Sequence, residues 1–198
     1  MSKIYDQNYF DRWYRDRTQR VISPIDLELK VRLTLAVAEY HLGRPVRTVL
    51  DVGCGEGAWR APLLRHLPQI DYLGLDSSEY AIARYGRTRN LRLLRFAQLA
   101  EQRFDHSVDL LICADMMHYV PTAELNRGLS GFAELCHGVA YLEVMCGSDD
   151  FVGDRDGYLG RTAAWYRKTF AKAGFLSCGN HCYLSQALRH SAMALELC

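Results

Sequence analysis

The chain lacks most of the features that would place it in an unusual class. No apolar run approaches the roughly 18 residues that span a bilayer. The start, MSKIYDQNYF, has neither the basic region nor the apolar stretch of a secretory signal. Charge of one sign is not in excess: 24 Lys and Arg against 23 Asp and Glu leave a net charge of +1. That excludes a global basic field for nucleic acid, though not a local patch. No Cys-x-x-Cys occurs, which argues against a zinc ribbon or a thioredoxin-like site. Proline is scarce, and no repeat, linker or low-complexity tract divides the 198 residues. One domain, long enough to bury a core, is the expectation. The seven cysteines, Cys54, Cys113, Cys136, Cys146, Cys178, Cys182 and Cys198, are odd in number and scattered. Several lie in apolar runs such as LLICAD, where a thiol is a small buried hydrophobe. The sum is a reduced, cytoplasmic, soluble protein with no nucleic-acid or membrane partner, its oligomeric state open.

What is present alternates. TVLDV, DYLGLD, LRLLRF, VDLLICAD and VAYLEVM read as strands, the fourth almost wholly apolar as in a strand buried on both faces. Between them AWRAPLLRHL, SEYAIARYG, AELNRGLSGFAELC and, later, AAWYRKTFAKAG read as helices. FLSCGNHCYLS and AMALELC are expected to be two final strands, antiparallel neighbours. The pattern predicts a doubly wound α/β fold, Rossmann-like, with a seven-stranded sheet that is mostly parallel and ends on an antiparallel strand. Helices would cover both faces. Ahead of it, SPIDLELKVRLTLAVAEYHLG alternates like a strand but is capped like a helix, with Ser23 at the N-cap, Pro24 at the first position and Gly43 at the stop. Its length decides for a helix, with Ile25, Leu29, Leu33, Ala36, Val37 and Tyr40 on one stripe. Residues 1–45 are read as a helical lid and 46–198 as the binding domain. In the arm YDQNYFDRWYRDRTQR the aromatics Tyr5, Tyr9, Phe10, Trp13 and Tyr14 fit either a packed helix or a lid, and the lid reading places Trp13 at the cofactor.

Ligands of such folds bind at the carboxyl ends of the strands. There VLDVGCGEGAW carries Gly53, Gly55 and Gly57 at alternate positions, so backbone comes close to something. The next strand ends in Asp76, whose carboxylate suits both hydroxyls of a ribose. The spacing D-x-G-x-G-x-G is not the G-x-G-x-x-G of dinucleotide sites. Asp51 beside the loop would repel a pyrophosphate and suit a cationic amino group. These features specify an adenosine-bearing cofactor with a methionine-like end.

On VLDVGCGEG, YLGLDSS, VDLLICADMMHYVP and FAKAGF the chain resembles the class I S-adenosylmethionine-dependent methyltransferases of small-molecule type, over about residues 48–175. The resemblance implies that Gly53, Gly55 and Gly57 lie under the methionine and ribose of S-adenosylmethionine and that Asp51 helps hold the amino group. It implies further that Asp76 binds the ribose, Ser77 lies beside the adenine, and Ala114 and Asp115 flank the methionine. The Asp that many relatives place after the third strand is missing. Gln98 would replace it through its amide oxygen, or Ala97 occupies the slot and backbone groups take over.

Methyl transfer from a sulfonium needs a positioned nucleophile and exclusion of water, and a base only where the acceptor carries its proton. His118 and Tyr119 in ADMMHYVP are the candidates. The excursion after the fifth strand carries Asp149, Asp150, Asp154 and Asp156, either on a solvated loop or on a substrate-facing flap that favours cations. No metal is expected, since DRDG lacks the other acids of a calcium loop. The function expected is methyl transfer to O or N of a small molecule. The alternatives are a peptide or protein acceptor and a non-catalytic cofactor-binding regulator.

Overall fold

The structure, a computed structural model, describes residues 3–150 and 152–198. Seven strands, β1 (Thr48–Val52), β2 (Asp71–Asp76), β3 (Leu91–Leu93), β4 (Val108–Ala114), β5 (Cys136–Glu143), β6 (Phe175–Gly179) and β7 (Cys182–Ser185), form one sheet. The order is β3-β2-β1-β4-β5-β7-β6. The first five pair in parallel, and β7 runs antiparallel to both β5 and β6. The helices are α1 (Gln7–Phe10), α2 (Pro24–Leu42), α3 (Arg60–His66), α4 (Glu79–Arg89), α5 (Thr122–Leu129), α6 (Phe132–Leu135) and α7 (Ala163–Lys172).

Both faces of the sheet are covered, as the apolar run of β4 requires. Leu110 and Ile112 of that strand pack with α2 and α3, and Leu111 and Cys113 with α5, α6 and α7. Reversal of the strand order between β1 and β4 opens a crevice at the carboxyl ends of these two strands. No helix among the described residues is long and apolar enough to cross a membrane.

Three expectations need correction. FLSCGNHCYLS is not one strand but the hairpin β6–β7, turned at Gly179, Asn180 and His181, all with positive φ. AMALELC contributes a short 3₁₀ turn, Ala194–Glu196, instead of a strand. The third correction concerns α2. Its Ser23 cap and left-handed Gly43 are as expected, Ser23 accepting from Asp26 N–H at 3.1 Å. Yet most of the apolar stripe read from the sequence faces solvent: Ile25 is 73% exposed and Leu29 55%, while Val37 packs against the core. Val31, Thr34, Leu35 and Ala38 pack instead. The helix is apolar on two sides, so periodicity could not choose between them. The helix lies on β4 and β5, and Pro24, Leu27 and Lys30 of its first turns border the crevice together with the chain before it.

Candidate active site

The glycine loop is shaped by its neighbours as much as by its own backbone. Gly53, Gly55 and Gly57 all have positive φ, of 72°, 54° and 78°. Gly53 N–H and Cys54 N–H donate to Leu75 O, at 2.7 and 3.1 Å, which folds the loop onto the end of β2. There Asp76 Oδ2 accepts from Gly55 N–H and Oδ1 from Ser78 N–H, each at 2.7 Å. Burial pushes the Asp76 carboxyl up while these amides restrain it. A Cβ on Gly55 would stand 2.9 Å from the Phe10 ring, and one on Gly53 2.5 Å from Met116 Cγ. Gly57 differs: its Cβ would meet Leu91, and it borders neither cavity described below. It serves the turn rather than a ligand contact.

Two cavities adjoin at this loop. The larger, about 1010 Å³, contains Asp76 and Ser77 and runs past Leu94, Arg95 and Phe96 at one side and Tyr119 and Leu159 at the other. The smaller, about 330 Å³, contains Asp51, Trp59, Lys30 and Glu143. Phe10, Tyr14, Gly53, Gly55, Ala114 and Asp115 border both. Asp51 is buried and accepts from Tyr72 O–H at 2.7 Å. Burial raises its carboxyl to about 7, against the lowering effect of that hydrogen bond. Tyr72 was not singled out from the sequence. The pairing of Asp51 with Gly74 in the β1–β2 register would have placed it close.

The other assigned residues divide. Ser77 and Ala114 border the larger cavity, as expected. Gln98 does not: its amide oxygen accepts from Arg95 N–H at 2.9 Å and closes a 3₁₀ turn, leaving the cavity wall to backbone and side chains of residues 94–96. Trp13 also lies off both cavities, with the Arg12 guanidinium 4.7 Å above its ring. From the arm it is Tyr5, Tyr9, Phe10 and Tyr14 that enter. Their rings form a contiguous edge-to-face and tilted cluster, and Phe10 stacks on Tyr80 at 5.9 Å. A π-helical turn, Asp11–Arg15, follows α1 and aims this cluster inward. The arm is tied down by Ser78 O–H, which donates to Tyr5 O at 2.6 Å, and by Arg15, which pairs with Glu56 of the glycine loop.

His118 and Tyr119 are placed less favourably for proton abstraction than their position in the chain suggested. His118 is fully buried and borders neither cavity. Its Nδ1 accepts from Met145 N–H at 3.3 Å, so Nε2 carries the proton and lies 3.6 Å from Asp115 Oδ1. Burial, with Lys3 and Arg161 adding to it, lowers the imidazole to about 4. Tyr119 borders the larger cavity but donates its hydroxyl to Asp154 O at 2.6 Å, and burial raises its phenol. Asp115 lies in the left-handed region, φ 56°, which Asp and Asn tolerate better than most residues.

The acidic excursion packs against the site without forming a field of four charges. Lys3 Nζ pairs with Asp154 at 2.8 Å, donates to Asp156 O and rests 3.9 Å over the Tyr119 ring. Asp149 accepts from Cys146 N–H, and Asp150 stands in solvent. Arg161 donates to Met117 O and Val120 O, and Leu159 N–H to His118 O, so the loop is pinned to the segment after β4.

The seven-stranded sheet of this order, with a glycine loop after β1 and an acid closing β2, matches the fold expected of the class I S-adenosylmethionine-dependent methyltransferases. More particularly, residues 50–138 match the model of the methyltransferase domain family. Over 78 residues the chain is 40% identical to the trans-aconitate 2-methyltransferase of Deinococcus radiodurans. That match covers 39% of this chain and spans only 30% of the relative's length. Among solved structures, a sugar N-methyltransferase from Streptoalloteichus sp. superposes with a TM-score of 0.63 at 18% identity, covering 89% of this chain and 92% of that one. The magnesium protoporphyrin IX methyltransferase of Synechocystis, solved with SAH bound, gives 0.56 at 20% identity, covering 90% and 92%. At such identities the likeness is one of fold.

Proposed function

We propose that the chain binds S-adenosylmethionine and transfers its methyl group to an oxygen or nitrogen of a small-molecule acceptor. The observation that carries this reading is the pair of adjoining cavities that meet at Gly53 and Gly55, with Asp76 from the end of β2 in the larger and Asp51 of β1 in the smaller. An adenosine with an amino-acid tail has its ribose at one end and its ammonium at the other. The Asp76 oxygens, each with one lone pair engaged by backbone, would accept from the ribose hydroxyls. Residues 94–96 would flank the adenine, and Asp51 would face the ammonium. Gly55 leaves the space that any Cβ would take from the tail, with Phe10 closing it from above.

When bound, this cofactor supplies a methyl carbon already activated by a sulfonium. The chain's own residues would then position the acceptor and keep water out. The larger cavity lies at the top of the roughly 300–1,000 Å³ range of small-molecule sites, so it has room for an acceptor beside the adenosine. That acceptor would lie under the arm and the 153–160 loop, against Tyr9, Tyr119 and Leu159. With Asp154 paired to Lys3, the loop favours cations less than its composition suggested. The seven free thiols fit a reducing compartment, so we place the protein in the cytoplasm. Calorimetry with S-adenosylhomocysteine and with NAD tests the cofactor. Binding of the first and not the second is expected, and the reverse would refute the reading. A screen of small-molecule acceptors, scored for the mass gain of one methyl group, then identifies the substrate.

A further inference from the structure

Asp115 stands where the two cavities meet. Of the six residues that border both, it is the one that carries a carboxyl group. If the adenosine lies in the larger cavity and the amino-acid tail in the smaller, the atom between them is the sulfur. The sulfur is a cation in the methyl donor and uncharged in the spent product.

The lysines nearest Asp115 are each ion-paired with another carboxylate. Lys30, from α2, is paired with Glu143 of β5 at 2.6 Å. Lys3, from the arm, is paired with Asp154 of the acidic loop at 2.8 Å. His118 presents Nε2 at 3.6 Å but is neutral in its buried position. The phenols of Tyr9, Tyr14 and Tyr119, from the arm and the post-β4 segment, are all held protonated by burial. Burial, with the nearby Glu143 repelling, raises the Asp115 carboxyl to about 7, against the attraction of the more distant Lys30 and Lys3. A half-buried carboxylate whose neighbouring lysines are committed elsewhere gains from a ligand that brings its own positive charge. The aromatic faces of Phe10 and Tyr14 at the same junction also suit a cation.

We propose that Asp115 is the residue by which the site distinguishes the charged methyl donor from the uncharged demethylated product, favouring entry of the one and release of the other. This rests on the cofactor reading above. Asp115 then acts on specificity.

The test measures dissociation constants of S-adenosylmethionine and S-adenosylhomocysteine for the full chain between pH 6 and 8, in the wild type and in Asp115→Asn. Asn tolerates the left-handed backbone, so the substitution removes charge and little else. It is expected to weaken the sulfonium ligand about tenfold at pH 8 and to leave the thioether ligand within about twofold. Sinefungin, which carries an ammonium in place of the sulfonium, should follow the sulfonium ligand. In the wild type the preference for the cation should decline as pH falls below about 7, and in Asp115→Asn it should not change. Asp51 titrates in the same range, but both ligands share the amino-acid end it faces. Asp51→Asn should therefore weaken both alike and leave their ratio intact. A ratio indifferent to Asp115→Asn, or equal loss of both ligands, overturns the proposal while the cofactor assignment stands. If the variant does not fold, the wild-type ratio decides alone, and a ratio constant with pH overturns it. Failure of both nucleosides to bind wild type overturns the function and this inference with it.

Discussion

At the scale of single residues, the site depends on groups that serve the loop and the ligand at once. Asp76 holds Gly55 N–H and Ser78 N–H, so its removal has two effects. Asp76→Ala is expected to raise the dissociation constant for S-adenosylhomocysteine at least tenfold, since charge-assisted hydrogen bonds contribute on the order of 1.5–3 kcal/mol each. It should also loosen the glycine loop, which protection of the Gly55 and Ser78 amides against hydrogen exchange would report. Unchanged affinity in a folded variant would remove Asp76 from the ribose. Gly55→Val acts by another route: a β-branched residue at φ 54° costs roughly 1–2 kcal/mol of backbone strain, and its Cβ must displace Phe10. Calorimetry should find binding abolished while circular dichroism stays native.

At the scale of elements, the arm and α2 each yield a test. The arm is held by Tyr5 O to Ser78, Arg15 to Glu56 and Lys3 to Asp154. These are few and mostly polar ties for a cluster of aromatic rings. Exchange protection from Tyr5 to Arg15 is therefore expected to rise when S-adenosylhomocysteine binds and gives the rings a second surface. Equal protection with and without ligand would make the arm a fixed wall. For α2, the two apolar faces predict opposite outcomes. Leu35→Ala, at a core position, should cost about 2–5 kcal/mol, whereas Leu29→Ala, 55% exposed, should change stability by less than about 0.5 kcal/mol. Urea unfolding distinguishes them, and a large loss at Leu29 would mean that the stripe is covered in solution.

At the scale of the whole molecule, buried ionisable groups set the dependence of stability on pH. Burial raises the Asp51 and Asp115 carboxyls to about 7, far above the roughly 3.9 of an unfolded Asp. Such groups stabilise the fold fully below the unfolded value, and that contribution is lost as pH rises through the folded one. His118, lowered to about 4, opposes them: its contribution is present above about 6.5 and lost as pH falls towards 4. Two carboxyls against one imidazole leave the ligand-free protein more stable at pH 5 than at pH 8. The acid limit is set at the other end of the sheet, where Arg44 holds the buried Asp109 below the usual carboxylate range in spite of desolvation. Its contribution is lost as pH falls through that lowered value. Thermal melts at pH 5 and 8 should show the higher midpoint at pH 5, and Asp51→Asn with Asp115→Asn should remove most of the difference. A higher midpoint at pH 8 would show that these carboxyls are ionised in the free protein.

What the sequence determined by itself was what local chemistry can carry. The alternation of strands and helices, the Ser23 and Gly43 caps of α2, the glycine loop and the acid at the end of β2 all follow from residues within a turn or a strand of one another. The parallel sheet then brings that loop and that acid together, because consecutive β–α units pack side by side. Tertiary structure decided the rest. The helix α2 carries apolar residues on two faces, and only the sheet beneath it selects Val31, Leu35 and Ala38 for burial. A glutamine after β3 can reach a ligand or cap a turn, and for Gln98 the free Arg95 N–H next to it prevails. The histidine after β4 points into the interior because the end of β5 offers Met145 N–H to its Nδ1. Lys3 and Asp154 lie some three quarters of the chain apart, yet their pairing offsets part of the charge that made the loop look like a cation trap. Such contacts depend on where the chain returns in space, and no periodicity in the sequence encodes that.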